Sequence, residues 1–357
     1  ALGSALAWDP YSFSFFRFIG GVGVGASSVA APAYISEISS SKNRGRLVAL
    51  YQFNIVFGIL LAFLSNYFLN DFGGEEDWRY MLGVEAIPAI VYAVFVLTIP
   101  ESPRWLVIKK NNLEGARVVL LGLMEENDAD QTLTAIQSEI TPVNSKDKRS
   151  FFSRKYRFPI ILAFLLAMFN QLSGINFILY YAPSILENAG FATSDSLLSS
   201  VSIGGVNLLF TFVGLYFIDK AGRKSLMYAG SIGYILSLSL VAYGFYTDAS
   251  AYFNLSFILL FIASHAVGQG AVIWVFISEI FPNSVRGIGQ SLGTGTHWVF
   301  AALITLTGPV LLDSFPQGYQ IFIFFAICMV AQLLFTHFIM PETKGKTLEE
   351  LKSIIEK

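Results

Sequence analysis

Apolar residues run in long blocks along most of this chain. The blocks lie near 12–35, 46–68, 79–99, 158–187, 196–218, 225–246, 254–281, 287–311 and 318–340, with a shorter apolar stub at 1–8. A helix needs roughly 20 mostly apolar residues to cross the hydrocarbon core of a bilayer. The pattern therefore predicts nine spanning helices and a stub. Polar segments between the blocks are short except for 100–157. In that segment "EGARVVLLGLMEEN" and "DQTLTAIQSEI" space their apolar residues as short amphipathic helices do. It holds no phosphate loop, metal-ligand pair or nucleophile motif, so it reads as a cytoplasmic cap rather than a catalytic domain.

Composition sharpens this picture. The chain is 54% hydrophobic and 13% charged, against about 25% charged in soluble domains. So much apolar surface does not fit inside one water-soluble core, and an all-α polytopic membrane protein is expected. A net charge of -2 does not point to a nucleic-acid partner. The single cysteine, Cys328, excludes an internal disulfide framework and a Cys-based zinc cluster. His265, His297 and His337 fall in separate spans without metal-ligand spacing. No cofactor, no metal and no enzymatic activity are expected.

Charge sets the orientation. When the loops are assigned to alternating sides, 21 of the 23 Lys and Arg residues fall on one side; the exceptions are Arg17, inside a span, and Arg79, at a helix mouth. The positive side faces the cytoplasm. The chain is thus expected to be a multi-pass protein of the plasma membrane with its C-terminus cytoplasmic.

Two phrases are written twice. "ISEISSSKNRG" starts at Ile35 and "ISEIFPNSVRG" at Ile277, 242 residues later; "PESPRWL" starts at Pro100 and "PETKGKTL" at Pro341, 241 residues later. Two junctions at nearly one offset indicate two homologous halves, an arrangement common in secondary transporters. Shifted by this offset, the spans at 158–187 and 196–218 find no twin within the chain, and 225–246 ends on the stub. The N-terminal bundle is therefore expected to be incomplete, about nine full spans plus a stub. The expected division is a partial N-terminal helical bundle at 1–99, a cytoplasmic helical linker at 100–157, a six-helix C-terminal bundle at 158–340 and a cytoplasmic tail at 341–357.

The phrases "RFIGGVGVG", "PAYISEISSSKNRG", "PESPRWL", "NQLSGINFILYYAP", "DKAGRK", "WVFISEIFPNSVRG" and "PETKGKTL" stand in this order along the chain. Together they resemble the sugar porter family of the major facilitator superfamily, which includes xylose and glucose proton symporters and glucose facilitators. The resemblance implies two pseudo-symmetric helical bundles that move a monosaccharide or related polyol by alternating access. Proton-coupled transport is the leading expectation. Passive facilitation is the alternative, and a membrane sugar sensor is a less favoured one because the tail is short. The expected partners are a small sugar or polyol, protons and the lipid bilayer.

A sugar needs neutral donors and acceptors and an aromatic face, and amides both donate and accept. The richest stretch is "FNQLSGINFILYY", 169–181. At 100° per residue Ser173, Asn176 and Tyr180 share a helix face. Gly174 can loosen the helix and bring Gln171 round, and Pro183 breaks it near its outer end. On chemistry alone a sugar site and interhelical hydrogen bonding fit equally well. The resemblance favours the sugar site for Gln171 and Asn176, and for Asn170, where the family usually has Gln. It adds Gln52, Asn207 and Trp274, whose ring can stack on the sugar's C–H face. It also adds His297, where relatives carry Gln or Asn; substrate contact is favoured there over proton relay. Ala266 stands where some facilitators carry an acid, which leaves polyol specificity open.

Arg17 matches an arginine that, in proton-coupled relatives, pairs with an acid on the first helix; it is the proton-coupling candidate. By resemblance, Glu37, Arg44, Asp219, Arg223, Glu279 and Arg286 form a cytoplasmic gating network. An acid and a base seven residues apart lie about 10 Å apart along a helix, so each is better placed to pair with a neighbouring loop such as "DKAGRK". Gly20, Gly21, Gly23 and Gly25 lie inside an apolar span, where close helix packing suits them better than dinucleotide binding.

Overall fold

The computed structural model describes residues 1–38, 44–140, 151–281, 285–315 and 317–344. In chain order the helices are α1 (Leu2–Ala5), α2 (Pro10–Ile38), α3 (Arg44–Leu69), α4 (Asp77–Val84), α5 (Ala86–Val96), α6 (Pro103–Ile108), α7 (Leu113–Leu121), α8 (Glu126–Ile140), α9 (Arg157–Leu172), α10 (Ile175–Tyr180), α11 (Ala182–Asn188), α12 (Thr193–Ala221), α13 (Arg223–Tyr246), α14 (Ala251–Val267), α15 (Gln269–Ile280), α16 (Arg286–Ser314) and α17 (Tyr319–Phe338). Among the described residues there is no strand. Nine stretches among them are long and apolar enough to span a bilayer. Each overlaps one of the nine blocks read from the sequence. Helices are the form expected here, because a helix satisfies its own backbone within hydrocarbon.

The chain divides into two compact units. One comprises Ala1–Ile55 and Phe68–Arg149, the other Val56–Tyr67 and Ser150–Lys357. In the first unit, the Arg79 guanidinium holds α1 in place by donating to the Ala5 and Ala7 carbonyls at 2.9 and 2.6 Å. These acceptors lie at the end of α1, where helix carbonyls lack intrahelical partners. The small core of α6, α7 and α8 contains Leu106, Val107, Ala116 and Ile136. Ser102 starts α6 by accepting from the Trp105 N–H, with Pro103 at the first helical position, as helix N-termini favour. Asn112 caps α7 in the same way at 2.8 Å. The amphipathic helices expected in 100–157 are α7 and α8. The close packing expected at Gly20, Gly21, Gly23 and Gly25 is not made: a Cβ at any of them would meet nothing within 4 Å.

The second unit is built around large buried side chains, among them Phe177, Phe261, Phe276, Phe322, Phe325 and Tyr234. Exposed apolar residues such as Phe324, Ile327 and Leu334 on α17 suit a lipid-facing surface. At the end that holds "DKAGRK", Arg223 is 8% exposed. It grips Glu279 with two hydrogen bonds of 2.7 and 3.1 Å and also meets Asp219 at 3.0 Å. A two-pronged guanidinium–carboxylate pair is the strong form of this contact, and a nearly buried cation requires it.

Glu342 fastens this end together. Its carboxylate accepts from the backbone N–H groups of Arg223 and Lys224, at the start of α13, and of Thr343 and Lys344. Gly222 makes the approach possible: it has φ +91°, and a Cβ there would lie 2.7 Å from Glu342 Oε2. Partial burial pushes the carboxyl's pKa up, but these four donors outweigh burial and hold it below its ordinary value. A group depressed in the folded state contributes stability above its unfolded pKa, about 4.3 for glutamate. That contribution fades as pH falls through the lower folded value. Thermal melts of Glu342→Gln are therefore expected to lie below the parent at neutral pH, with the gap closing in acid. A gap that stays constant across this range would contradict the assignment.

Candidate functional site

The site in the second unit begins with an interrupted helix. α9 ends at Leu172, and Gly174 takes the left-handed conformation, φ +84°, which side chains oppose. A Cβ at Gly174 would lie 2.6 Å from the Phe325 ring. The interruption leaves backbone groups unpaired, and such groups must be satisfied inside a membrane. Ser173 does this: its hydroxyl donates to the Asn170 carbonyl at 2.6 Å and accepts from the Ile175 N–H at 3.3 Å. A second interruption falls at Tyr181, between α10 and α11, with Pro183 in the first turn of α11. Both breaks lie where Gly174 and Pro183 led them to be expected.

The break turns the amides toward one another. Gln171 is fully buried and Asn170 nearly so. The Gln171 Nε2 group donates to Asn170 Oδ1 at 2.9 Å and lies 3.1 Å from His297 Nδ1. Gln171 Oε1 accepts from Asn176 Nδ2 at 2.9 Å. Three helices thus meet at one glutamine: α9, α10 and α16. An aromatic wall stands beside it. The Trp274 ring, on α15, lies 5.2 Å from the His297 ring, and Trp298 packs edge-on to His297 at 5.3 Å. The arrangement offers neutral donors, neutral acceptors and flat apolar rings, which is what a polyhydroxylated, uncharged molecule requires.

The structure brings together Asn170, Gln171, Asn176, His297 and Trp274. Asn207 is buried on α12, where its carbonyl accepts from Thr211 at 2.7 Å. Gln52 belongs to the first unit, and its Oε1 is buried without a hydrogen-bond partner. Tyr180 is 57% exposed whereas Ser173 is fully buried. The shared face expected for them is lost because the Gly174 break interrupts the 100° register. In the gating set, Asp219, Arg223 and Glu279 are joined. Thr343 adds a bond to Glu279 at 2.6 Å. Arg286 donates to the Phe281 carbonyl at 3.4 Å. Glu37, in the first unit, accepts from the Ser102 hydroxyl. The Arg44 side chain lies outside the described residues. Arg17 is exposed on α2. Among the described residues no group of three His, Cys, Asp or Glu is arranged to hold a metal ion.

Sequence reasoning missed a second set of buried polar residues. Gln269 donates to Gln332, which donates to Ser231 Oγ at 2.8 Å; all three are fully buried. Tyr234 is likewise buried, with its hydroxyl 2.6 Å from His265 Nδ1. Their signal was present: Gln332 is a lone amide within the apolar "VAQLLF", and Gln269 sits between two glycines in "VGQGAV".

A helical protein with nine bilayer-length stretches among its described residues is a multi-pass membrane protein. The model of the family described as "Sugar (and other) transporter" matches residues 1–354. The D-xylose-proton symporter of Escherichia coli K12 is 35% identical over 96% of this chain, and the chain spans 72% of that relative. The glucose facilitated diffusion protein of Zymomonas mobilis is 31% identical over 96% of this chain and 74% of that protein. Among solved structures, the major facilitator superfamily proton:xylose symporter XylE, bound to 6-bromo-6-deoxy-D-glucose, matches with a TM-score of 0.81. It is 32% identical, over 99% of this chain and 80% of that one. The chain therefore belongs to the sugar transporter family and has the major facilitator fold.

Gly174→Val is expected to destabilise the protein by about 1–3 kcal/mol, through backbone strain and overlap with Phe325. The loss is measured as a lower melting temperature in detergent. An unchanged melting temperature would show that Phe325 and the backbone readily give way.

Proposed function

We propose that this protein is a secondary transporter that carries a hexose, a pentose or a related polyol across the plasma membrane by alternating access, coupled to protons. The observation that carries the reading is the buried Gln171 hub, hydrogen-bonded to Asn170, Asn176 and His297 beside Trp274. Sugar hydroxyls exchange for these internal bonds, and the Trp274 face takes the sugar's C–H surface. Gln52 and Asn207 complete the proposed contacts. His297 acts as a neutral donor and acceptor in place of an amide.

Glu37, Arg44, Asp219, Arg223, Glu279 and Arg286 form the proposed cytoplasmic latch. The two-pronged Arg223–Glu279 pair supports this role for the second half. In this reading 1–99 and 158–340 form the two bundles, 100–157 is the cytoplasmic linker and 341–357 the tail. The bias of Lys and Arg to one side supports a cytoplasmic C-terminus. Kinship to a named proton symporter favours coupling, with Arg17 as the residue that senses it. Kinship to a named facilitated-diffusion protein favours the second reading, passive facilitation.

Uptake of labelled xylose and glucose into proteoliposomes, with and without an inward proton gradient, tests both readings. Accumulation that follows the gradient is expected. Equilibration that ignores it assigns facilitation, and no uptake of any monosaccharide rejects transport. Gln171→Leu leaves three polar partners of the hub unpaired and is expected to weaken sugar binding about tenfold or more. Unchanged affinity would remove Gln171 from the site.

A further inference from the structure

The spanning segment over 251–280 is interrupted as well. α14 stops at Val267, Gly268 departs from helical geometry with φ -84° and ψ -103°, and α15 starts at Gln269. This break is held differently from the one at Gly174. There a serine side chain repairs the gap from within. Here, among the described residues, no side chain caps the start of α15. The holding contacts come from neighbouring helices instead.

Two of them lie on α13. Gly230 lets the backbones cross closely, because a Cβ there would lie 2.8 Å from the Gly268 Cα. One turn further on, the Tyr234 hydroxyl lies 2.6 Å from Nδ1 of His265, in the last turn of α14. These contacts hold the break itself and the α14 side of it. The α15 side is reached from α17. Gln269, the first residue of α15, donates to Gln332 Oε1, and Gln332 donates in turn to Ser231 Oγ on α13 at 2.8 Å. All three side chains are fully buried. The Gln269 Oε1 atom is buried without a hydrogen-bond partner among the described residues, so the bond to Gln332 is the one that holds this amide.

α15 is a helix of 12 residues with no proline, so it turns as a unit. Trp274 stands five residues after Gln269, about 140° further round the helix. The tether therefore grips the side of α15 turned away from the Trp274 ring, and a rotation at Gln269 carries the ring with it. That ring lies 5.2 Å from the His297 ring, at the edge of the amide hub.

We propose that Gln332 is a positioning residue: through Gln269 it sets the rotation of α15, and so the place of Trp274 at the sugar site. This rests on the transport reading, in which Trp274 takes the sugar's C–H surface. Gln332 does not touch the sugar in this scheme. Its bond is suited to the task because a buried amide is costly to leave unpaired, which fixes the register of α15 more sharply than apolar contact does.

The test uses Gln269→Met/Gln332→Met, which exchanges both amides for apolar chains of similar shape. Removing one partner alone leaves a buried amide wholly unpaired, whereas removing both is close to neutral for stability. Ser231 can then turn its hydroxyl to the backbone of its own helix. Gln332→Met alone is expected to melt below the parent, and the double variant close to it. Binding of D-xylose and D-glucose to the purified double variant, followed by calorimetry, is expected to weaken about tenfold, the upper scale for one lost aromatic contact. In a Trp274→Leu background the same pair of changes is expected to weaken binding no further. Amide hydrogen exchange supplies a readout that needs no sugar: the double variant is expected to exchange faster at 269–276 and unchanged at 171–178. Unchanged exchange at 269–276, or unchanged affinity, overturns the proposal. So does an additive loss in the Trp274→Leu background, or a fall in melting temperature that parallels the loss of affinity. If the parent binds neither sugar, the reading of the site fails, and the exchange data decide whether Gln332 sets α15.

Discussion

A backbone group in hydrocarbon has no water to turn to, and a helix that breaks there must find its partners nearby. The second unit depends on how this requirement is met at Gly174. The glycine takes a conformation that other residues resist, and the Ser173 hydroxyl satisfies the carbonyl and the N–H at the gap. Once the break is satisfied, Gln171 and Asn176 approach each other from opposite sides of it. An unbroken helix would send these side chains, five residues apart, in directions about 140° apart. The polar hub is therefore a consequence of the break, and the break is stable only because Ser173 repairs the backbone.

Charge is handled on the same terms. Arg223 is nearly buried and would be costly to leave alone. Glu279 meets it with two oxygens, while Asp219 and the Ile218 carbonyl take the remaining nitrogen. Glu342 adds a carboxylate at the positive end of α13, where helix geometry favours an anion. Negative groups thus surround both the guanidinium and the helix start, so these contacts support one another. An isolated exposed ion pair would contribute little by comparison.

Much of this was legible in the sequence, for reasons that differ by residue. The spans were readable because hydrocarbon imposes a length and a composition that soluble cores do not. The α9–α10 and α10–α11 breaks were readable because Gly174 and Pro183 each have a local stereochemical consequence. Tyr180 was misplaced because a 100° register holds only within an unbroken helix. The break at Gly268 was harder to see. Gly268 has negative φ, and its special feature is close contact with Gly230, which lies in another helix. Ser231, Tyr234, Gln269 and Gln332 escaped notice for the same reason, and His265 was weighed only as a metal ligand. Each is an ordinary residue in its own span, and only packing shows that they share partners.

The two classes of polar residue differ in what they leave available. In the Gln269–Gln332–Ser231 chain each donated bond ends on a residue sealed in the protein, and all three side chains are fully buried. In the amide hub Asn176 and His297 are only partly buried, and His297 packs against the rings of Trp274 and Trp298. Bonds at such an edge can be exchanged for bonds to an incoming hydroxyl without exposing the backbone of the break. A hydroxyl missing from the solute would leave an amide unpaired, which penalises the wrong molecule more than added apolar contact rewards the right one. Selectivity in a site of this kind follows from the same constraint that shapes the helix: a polar group within the membrane is costly to leave without a partner.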